Sequence, residues 1–282
     1  MDCSQLTGMN IHYRYYSLET FFQSVSKNGL STIELWLCPQ HFYINNNYVE
    51  NIDSLKYLCN KYEQSLYCIC PEQNNPKPNN IAAKGKILIE NTISYYKNVF
   101  HVAHQMNCHK VLVTPGWNYY DESLDEARIR SIKMLQLLCD LASEKQIDLV
   151  LESIWAKSSQ IASTIGEINY LKENVDRKNL LLTLDLGAMA AANESIEQWF
   201  KAFGSSITHC HFVDGSPTGH TSWGRGTRNM FNDLNTFEKF SYKGKLSFEF
   251  VDPKCYKAPY LEDRTTIELF NDNLRKRGLL ND

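Results

Sequence analysis

Two histidines stand two residues apart near the end of a short apolar stretch of the chain. They are His209 and His211, within residues 207–212, and Asp214 and a Gly-rich loop follow them. If this stretch is a strand, its side chains alternate between faces, so both imidazoles point to the same side. One buried histidine is ordinarily satisfied by a backbone carbonyl, but two imidazoles and a carboxylate make the strand more polar than packing requires. The pattern indicates a chemical site at this strand end.

Three other short apolar stretches end in a carboxylate, at Glu152, Asp185 and Glu249. Each carboxylate alone is most simply a solvated or salt-bridged side chain, whereas four strand ends that supply two Glu, one Asp and one His make a metal-ligand set. Hard oxygen ligands with one nitrogen suit Mn²⁺, Mg²⁺ or Co²⁺, and Zn²⁺ fits less well because it prefers nitrogen or sulfur. The sequence predicts one divalent metal ion, with Mn²⁺ as the first expectation.

The predicted ligands also suggest a reaction. A divalent ion held by the strand ends would polarise a substrate carbonyl and a neighbouring hydroxyl, which makes the intervening C–H more acidic. A carboxylate on each face of that carbon could then remove and return a proton. Glu152 and Glu249 end the fifth and eighth predicted strands, on opposite sides of the proposed ion. They are the predicted acid–base pair.

Short apolar stretches alternate with longer amphipathic ones along the chain. Leu18, Phe21, Phe22 and Val25 have the i, i+3, i+4, i+7 spacing of a helix, and similar patterns recur between the apolar stretches. Eight strands, each followed by a helix, fit a (β/α)8 TIM barrel better than an open sheet. We expect an α/β fold with a single domain over residues 1–282. The predicted strands cover residues 8–12, 32–37, 65–70, 110–114, 148–152, 181–185, 207–212 and 246–251.

In such barrels the chemistry sits at the carboxyl ends of the strands. Several side chains near these ends therefore have a predicted role in substrate binding. Trp117 and Trp155 offer flat apolar faces of the kind that lie under sugar C–H groups. His12 and Glu72 lie at the ends of the first and third predicted strands, and the turn-rich segment 74–80 is expected to lie over the barrel mouth.

Composition restricts the partners. The chain has 282 residues and a formal charge of −3, so no global basic field attracts nucleic acid. Nine cysteines without a C-x-x-C pair suit a reducing compartment, and neither a signal-peptide pattern nor a membrane-length apolar run is found. We expect a cytoplasmic protein with a small-molecule substrate and no membrane partner. Tyr119, Tyr120 and Tyr256 could cover the pocket or join two copies in a homo-oligomer, and the sequence does not decide between these roles.

The segments that carry the predicted ligands resemble a known family. Residues 149–152, 183–185, 209–214 with 224–226, and 248–249 are similar to motifs of the xylose isomerase-like TIM barrel superfamily. Within it, the chain resembles the sugar phosphate isomerase/epimerase group, which includes the ketose 3-epimerases. Resemblance to the fructoselysine 3-epimerase type rests on Thr7-Gly8-Met9, Ile33-Glu34-Leu35-Trp36, Pro71-Glu72 with Asn74, and His211-Phe212-Val213-Asp214 followed by Gly219-His220.

The resemblance implies that Glu152, Asp185, His211 and Glu249 bind the metal. It also implies that Glu152 and Glu249 exchange the proton in epimerisation at carbon 3 of a ketose or ketose derivative, of the fructoselysine or psicose type. His220 is implied to grip substrate oxygens.

One position departs from the family pattern. Many sugar epimerases carry a histidine three residues after the strand-six Asp, where this chain has Ala188. This difference argues against a simple free ketose as the substrate. Lys157 and Arg225 could instead hold a carboxylate or phosphate, with solvated surface charges as the alternative.

Other functions stay open. The same ligands would serve an aldose–ketose isomerase or an inosose-type dehydratase, and a non-catalytic sugar sensor could keep the pocket. Endonuclease IV shares the barrel, but it uses several metals with many more histidines and grips a phosphate backbone. Eight histidines and a net negative charge argue against DNA repair. The sequence does not specify the sugar, its phosphate or amino-acid substituent, the native metal or the oligomeric state.

Overall fold

A computed structural model describes residues 1–73 and 79–279. Eight parallel strands close into a barrel in which each strand pairs with the next and the last pairs with the first. The predicted (β/α)8 barrel is confirmed. Asn74 and the rest of 74–78 in the predicted mouth segment lie outside the described residues. The strands are β1 (Leu6–Met9), β2 (Thr32–Trp36), β3 (Ser65–Cys70), β4 (Lys110–Val113), β5 (Asp148–Glu152), β6 (Leu180–Asp185), β7 (Ile207–His211) and β8 (Lys245–Ser247).

The helices turn their apolar sides toward the barrel. In the first helix Phe21, Phe22 and Val25 are buried, and Ser17 accepts the backbone N–H of Thr20 to begin the helix. None of the described helices combines the length and the apolar character that crossing a bilayer requires. The helices are α1 (Leu18–Lys27), α2 (Ile52–Lys61), α3 (Lys86–Gln105), α4 (Leu124–Ser143), α5 (Ile165–Val175), α6 (Leu186–Ala191), α7 (Ile196–Phe203), α8 (Met230–Lys239) and α9 (Pro259–Lys276).

The apolar core lies on both sides of the strands. Its larger part fills the space between strands and helices, and a smaller cluster that includes Met9, Cys68, Leu112 and Val150 fills the barrel interior. Successive strand side chains alternate between these two regions. The interior is therefore a packed support beneath the carboxyl ends of the strands.

Two strands end three or more residues earlier than predicted. β1 ends at Met9 because the next residues form a short 3₁₀ helix, Asn10–Tyr13. The amide of Asn10 holds this turn against β2, since it accepts the Trp36 N–H at 2.6 Å and donates to the Trp36 carbonyl at 2.9 Å. β8 ends at Ser247, whose carbonyl accepts the Glu249 N–H at 3.2 Å. Glu249 therefore lies on an irregular segment just beyond its strand.

Candidate active site

Four predicted ligands meet at one end of the barrel. Glu152, Asp185 and His211 are the last residues of β5, β6 and β7, and Glu249 lies just past β8. One ligand atom from each residue lies within 4.8 Å of the others. The parallel barrel brings them together because the carboxyl ends of all its strands face the same way.

The Nδ1 atom of His211 faces two glutamates. Its Nδ1 is 2.5 Å from Glu152 Oε1 and 3.1 Å from Glu249 Oε2. Neither His211 Nδ1 nor Glu152 Oε1 has a hydrogen-bond partner of suitable geometry in the described parts of the chain, although both atoms are buried. Buried nitrogen and oxygen atoms that converge without a hydrogen bond are suited to bind a shared cation.

Asp185 and His220 form the other half of the site. Asp185 begins α6, and its Oδ1 accepts the backbone N–H groups of Gly187 and Ala188 at 2.6 and 3.2 Å. Its Oδ2 is thereby left to face the site, where it lies 2.7 Å from His220 Nε2. The same nitrogen is 3.4 Å from Glu249 Oε2. His220 therefore links the two carboxylates.

Close backbone packing sets the position of His220. A Cβ atom on Gly187 would lie 2.7 Å from the ring of His220 and 2.6 Å from the carbonyl oxygen of Gly219. Glycine at this position lets the loop after β7 approach α6. The ring of Trp155 lies on the other side of His220, at 5.8 Å between centroids and 32° between planes.

Asp214 organises the loop that carries His220 and takes no part in the ligand cluster. Its side chain is buried and accepts the backbone N–H groups of Gly215, Gly224, Gly226 and Arg228 at 2.7 to 3.1 Å. A carboxylate that accepts several backbone bonds stabilises an irregular loop strongly. Asp214 therefore has a structural role in the loop that follows β7.

Burial and neighbouring charges raise the pKa values of three side chains in the cluster. Burial raises the pKa of Glu152 to about 8, against the opposing charge of His211 and together with the like charge of Glu249. Burial lowers the pKa of His220, but the Asp185 carboxylate outweighs it and raises that pKa to about 9. His211 likewise has a pKa well above its usual value, because the glutamate charges outweigh burial. The raised pKa values favour the charged forms of His211 and His220 beside these carboxylates.

The donor set fits a divalent ion. Three carboxylates and one imidazole provide mainly oxygen ligands, as Mn²⁺, Mg²⁺ and Co²⁺ prefer. The three carboxylates of this set also border a cavity of about 420 Å³, which is of the size of small-molecule sites. Glu152, Asp185, His220 and Glu249 line this cavity, with Trp155, Ile154 and Val251 as its apolar wall.

The sequence model of the xylose isomerase-like TIM barrel family matches residues 22–271. The chain belongs to this family. The predicted resemblance is confirmed, and among curated relatives the fructoselysine 3-epimerase of Escherichia coli O157:H7 is 22% identical over 264 residues, 91% of this chain and 96% of that protein.

Solved structures share the fold at lower identity. The D-allulose 3-epimerase of Methylomonas sp. superposes with a TM-score of 0.80 and 17% identity over 96% of this chain and 98% of that one. A 3-keto-D-glucoside 4-epimerase from Escherichia coli gives a TM-score of 0.75 and 15% identity over 93% and 99% of the two chains.

Five predicted substrate contacts of this xylose isomerase-like barrel do not line the cavity that the described residues form. His12 is fully buried and bonds Asp263 of α9 at 2.8 Å. Arg225 forms two bonds with Glu262, at 2.6 and 2.7 Å, because α9 begins with acidic residues beside the β7 loop. The other three are Lys157, which is exposed, Trp117, which packs on Tyr119, and Glu72, which is half-buried beside Tyr95. Their role in substrate binding stays a prediction.

Glu34 belongs to a family motif in the sequence, but its contacts with the two histidines of β7 were not predicted. Glu34 of β2 is fully buried and lies between the Nε2 atoms of His209 and His211. The available signal was the pair of histidines on one strand face, since two buried imidazoles require a polar partner. That partner lies 175 residues earlier in the chain than His209, so no local pattern points to it.

Proposed function

We propose that the chain is a divalent-metal-dependent sugar epimerase that acts at carbon 3 of a ketose or ketose derivative of the fructoselysine or psicose type. The proposal rests chiefly on the approach of both Glu152 and Glu249 to His211 Nδ1, at 2.5 and 3.1 Å. Both carboxylates line the same cavity. The relatives are named as carbohydrate epimerases that act at carbon 3 or 4, and these names support the reaction class.

Epimerisation requires that a proton leave one face of a carbon and that another arrive at the opposite face. Two carboxylates that approach the cavity from different strands can divide these tasks. Before an ion binds, burial raises the pKa of Glu152 to about 8, and the proposed ion would favour the ionised form that accepts a proton. Glu152 and Glu249 therefore serve as the proposed acid–base pair.

The proposed metal ligands are Glu152, Asp185, His211 and Glu249, with Mn²⁺ as the preferred ion. A bound divalent ion would polarise the substrate carbonyl and neighbouring hydroxyl and make the intervening C–H more acidic. The N-cap bonds from α6 hold Asp185 Oδ1, so only Oδ2 is directed at the site. This arrangement supports a fixed ligand geometry.

Two side chains around the cavity are suited to orient a sugar. Trp155 presents a flat ring to the cavity, which suits sugar C–H groups. His220 is held between that ring and Asp185, and it lines the cavity beside the proposed ligands. We assign both to substrate positioning.

The test is product identification with Mn²⁺-loaded protein. Fructoselysine, psicose, tagatose, fructose and ketose phosphates would each be incubated with the protein, and the products separated by chromatography and identified by NMR. We expect a carbon-3 epimer from at least one of them, with activity lost in Glu152→Gln and Glu249→Gln. Glu144→Gln is the matched control, because Glu144 is exposed and directly follows α4, at the opposite end of the barrel.

Other outcomes would contradict the proposal. An aldose product would indicate an isomerase, and loss of water would indicate a dehydratase. Tight sugar binding without turnover by the Mn²⁺-loaded protein would indicate a sensor.

A further inference from the structure

A buried carboxylate joins the two histidines of β7 beneath the proposed metal ligands. Glu34 Oε2 lies 2.8 Å from His209 Nε2, and Glu34 Oε1 lies 3.3 Å from His211 Nε2. All three side chains are fully buried. A carboxylate in such a place is costly unless its oxygens accept hydrogen bonds, and here each oxygen has one imidazole.

Irregular strand pairing accompanies these contacts. The register between β2 and β3 shifts between Ile33 and Glu34, and the register between β6 and β7 shifts just before Thr183 pairs with His209. Such bulges re-aim the side chains that follow them and are frequent beside functional sites. Glu34 and His209 therefore both lie where the barrel departs from regular strand pairing.

The contact with Glu34 determines what the other nitrogen of His211 can do. An ionised carboxylate accepts hydrogen bonds and cannot donate them, so Nε2 of His211 must carry the hydrogen. In the neutral ring Nδ1 then has a free lone pair, and Nδ1 is the atom that faces Glu152 and Glu249. The same logic orients imidazole ligands in many metal sites, where the second nitrogen donates to a carboxylate.

We propose that Glu34 is the positioning residue of this site, and that it fixes His211 in the tautomer and orientation that present Nδ1 to the metal. His209 holds the second oxygen of Glu34, and its own ring packs against Tyr67 at 5.7 Å between centroids. The inference rests on the proposed function only in that His211 is taken as a metal ligand. It does not depend on which sugar is transformed.

Glu34, Cys68 and His209 also lie close enough to hold an ion themselves. Positioning is the better account, because both oxygens of Glu34 already face imidazole nitrogens. Occupation by an ion would require those hydrogen bonds to break inside a packed interior.

Mn²⁺ affinity of Glu34→Gln, measured by titration calorimetry on the full chain, tests the role. The matched control is Asp263→Asn, which disrupts another fully buried carboxylate–imidazole pair, His12–Asp263 at 2.8 Å, neither member of which lines the cavity. We expect Glu34→Gln to weaken Mn²⁺ binding by about 10–100-fold, as loss of such partners does elsewhere, and Asp263→Asn by less than about threefold.

Unchanged affinity in Glu34→Gln, or equal weakening in both variants, would overturn the proposal. So would binding of two ions per wild-type chain with one lost in Glu34→Gln, because Glu34 would then be a ligand.

A second measurement needs no variant of Glu34. Long-range ¹H–¹⁵N NMR spectra of the Zn²⁺-loaded wild-type chain report which nitrogen of His211 carries hydrogen. Hydrogen on Nε2 with metal-shifted Nδ1 supports the assignment, and the reverse pattern refutes it. Both measurements give a result even if no sugar is turned over, so failure of this proposal is distinguishable from failure of the epimerase proposal.

Discussion

Binding of Mn²⁺ by the proposed ligands should release protons that the site holds in the metal-free chain. In the metal-free chain, the neighbouring glutamates hold the pKa of His211 well above its usual value and burial raises the pKa of Glu152 to about 8, so this pair carries protons near pH 7. Both must lose their protons to become ligands. Asp185 is already ionised, because the His220 charge outweighs burial and lowers the pKa of Asp185 below its usual value. We therefore expect between one and two protons to leave for each Mn²⁺ that binds.

Titration calorimetry measures this number directly. Mn²⁺ is added at pH 7 in several buffers of different ionisation enthalpy, and the slope of observed enthalpy against buffer enthalpy gives the protons released. The dissociation constant should fall about tenfold per pH unit for each proton. In Glu152→Gln, which has no proton to lose at that position, the release should fall toward one. A release below about one half in the wild-type chain would refute the ligand assignment of His211 and Glu152.

Three further predictions concern the surroundings of the ligands. First, the pKa of His220 rises from 6.5 to about 9 on folding, so its pairing stabilises the metal-free chain fully below pH 6.5, and the stabilisation, up to about 3 kcal/mol, is lost as pH rises through 9. Urea unfolding should show the difference between wild type and His220→Asn shrinking over that range, and a constant difference would contradict it. Second, Gly187→Ala should displace His220 and raise KM, because the added Cβ meets the His220 ring at 2.7 Å; unchanged steady-state kinetics would count against this. Third, Asp214→Ala should cost at least about 3 kcal/mol of unfolding free energy, since four backbone N–H groups lose a charged acceptor; a loss below about 1 kcal/mol in denaturant titration would be inconsistent with its role.

The barrel and the ligand cluster were predictable because they depend on local patterns. Alternation of side chains placed His209 and His211 on one face, and the rule that strands of a barrel share a carboxyl end brought Glu152 and Asp185 beside them. Glu249 lies beside the other three proposed ligands although its strand ends at Ser247, because the following residues continue toward the same end.

Contacts between distant segments were not predictable. Arg225 was expected to be free for substrate, but its partner Glu262 comes from the last helix, 37 residues on. His12 similarly meets Asp263 across 251 residues of sequence. Whether a charged side chain at a strand end belongs to the site depends on its neighbours in space, and one sequence does not contain that information.

The most direct test of the proposed function is solvent deuterium exchange. Mn²⁺-loaded protein would be incubated in D₂O with the sugar panel, and NMR would show which carbon loses its hydrogen. We predict exchange at carbon 3 that disappears in Glu152→Gln and in Glu249→Gln and persists in Glu144→Gln. Exchange confined to carbon 1 or 2, or exchange at carbon 3 that survives both glutamate substitutions, would contradict the proposal.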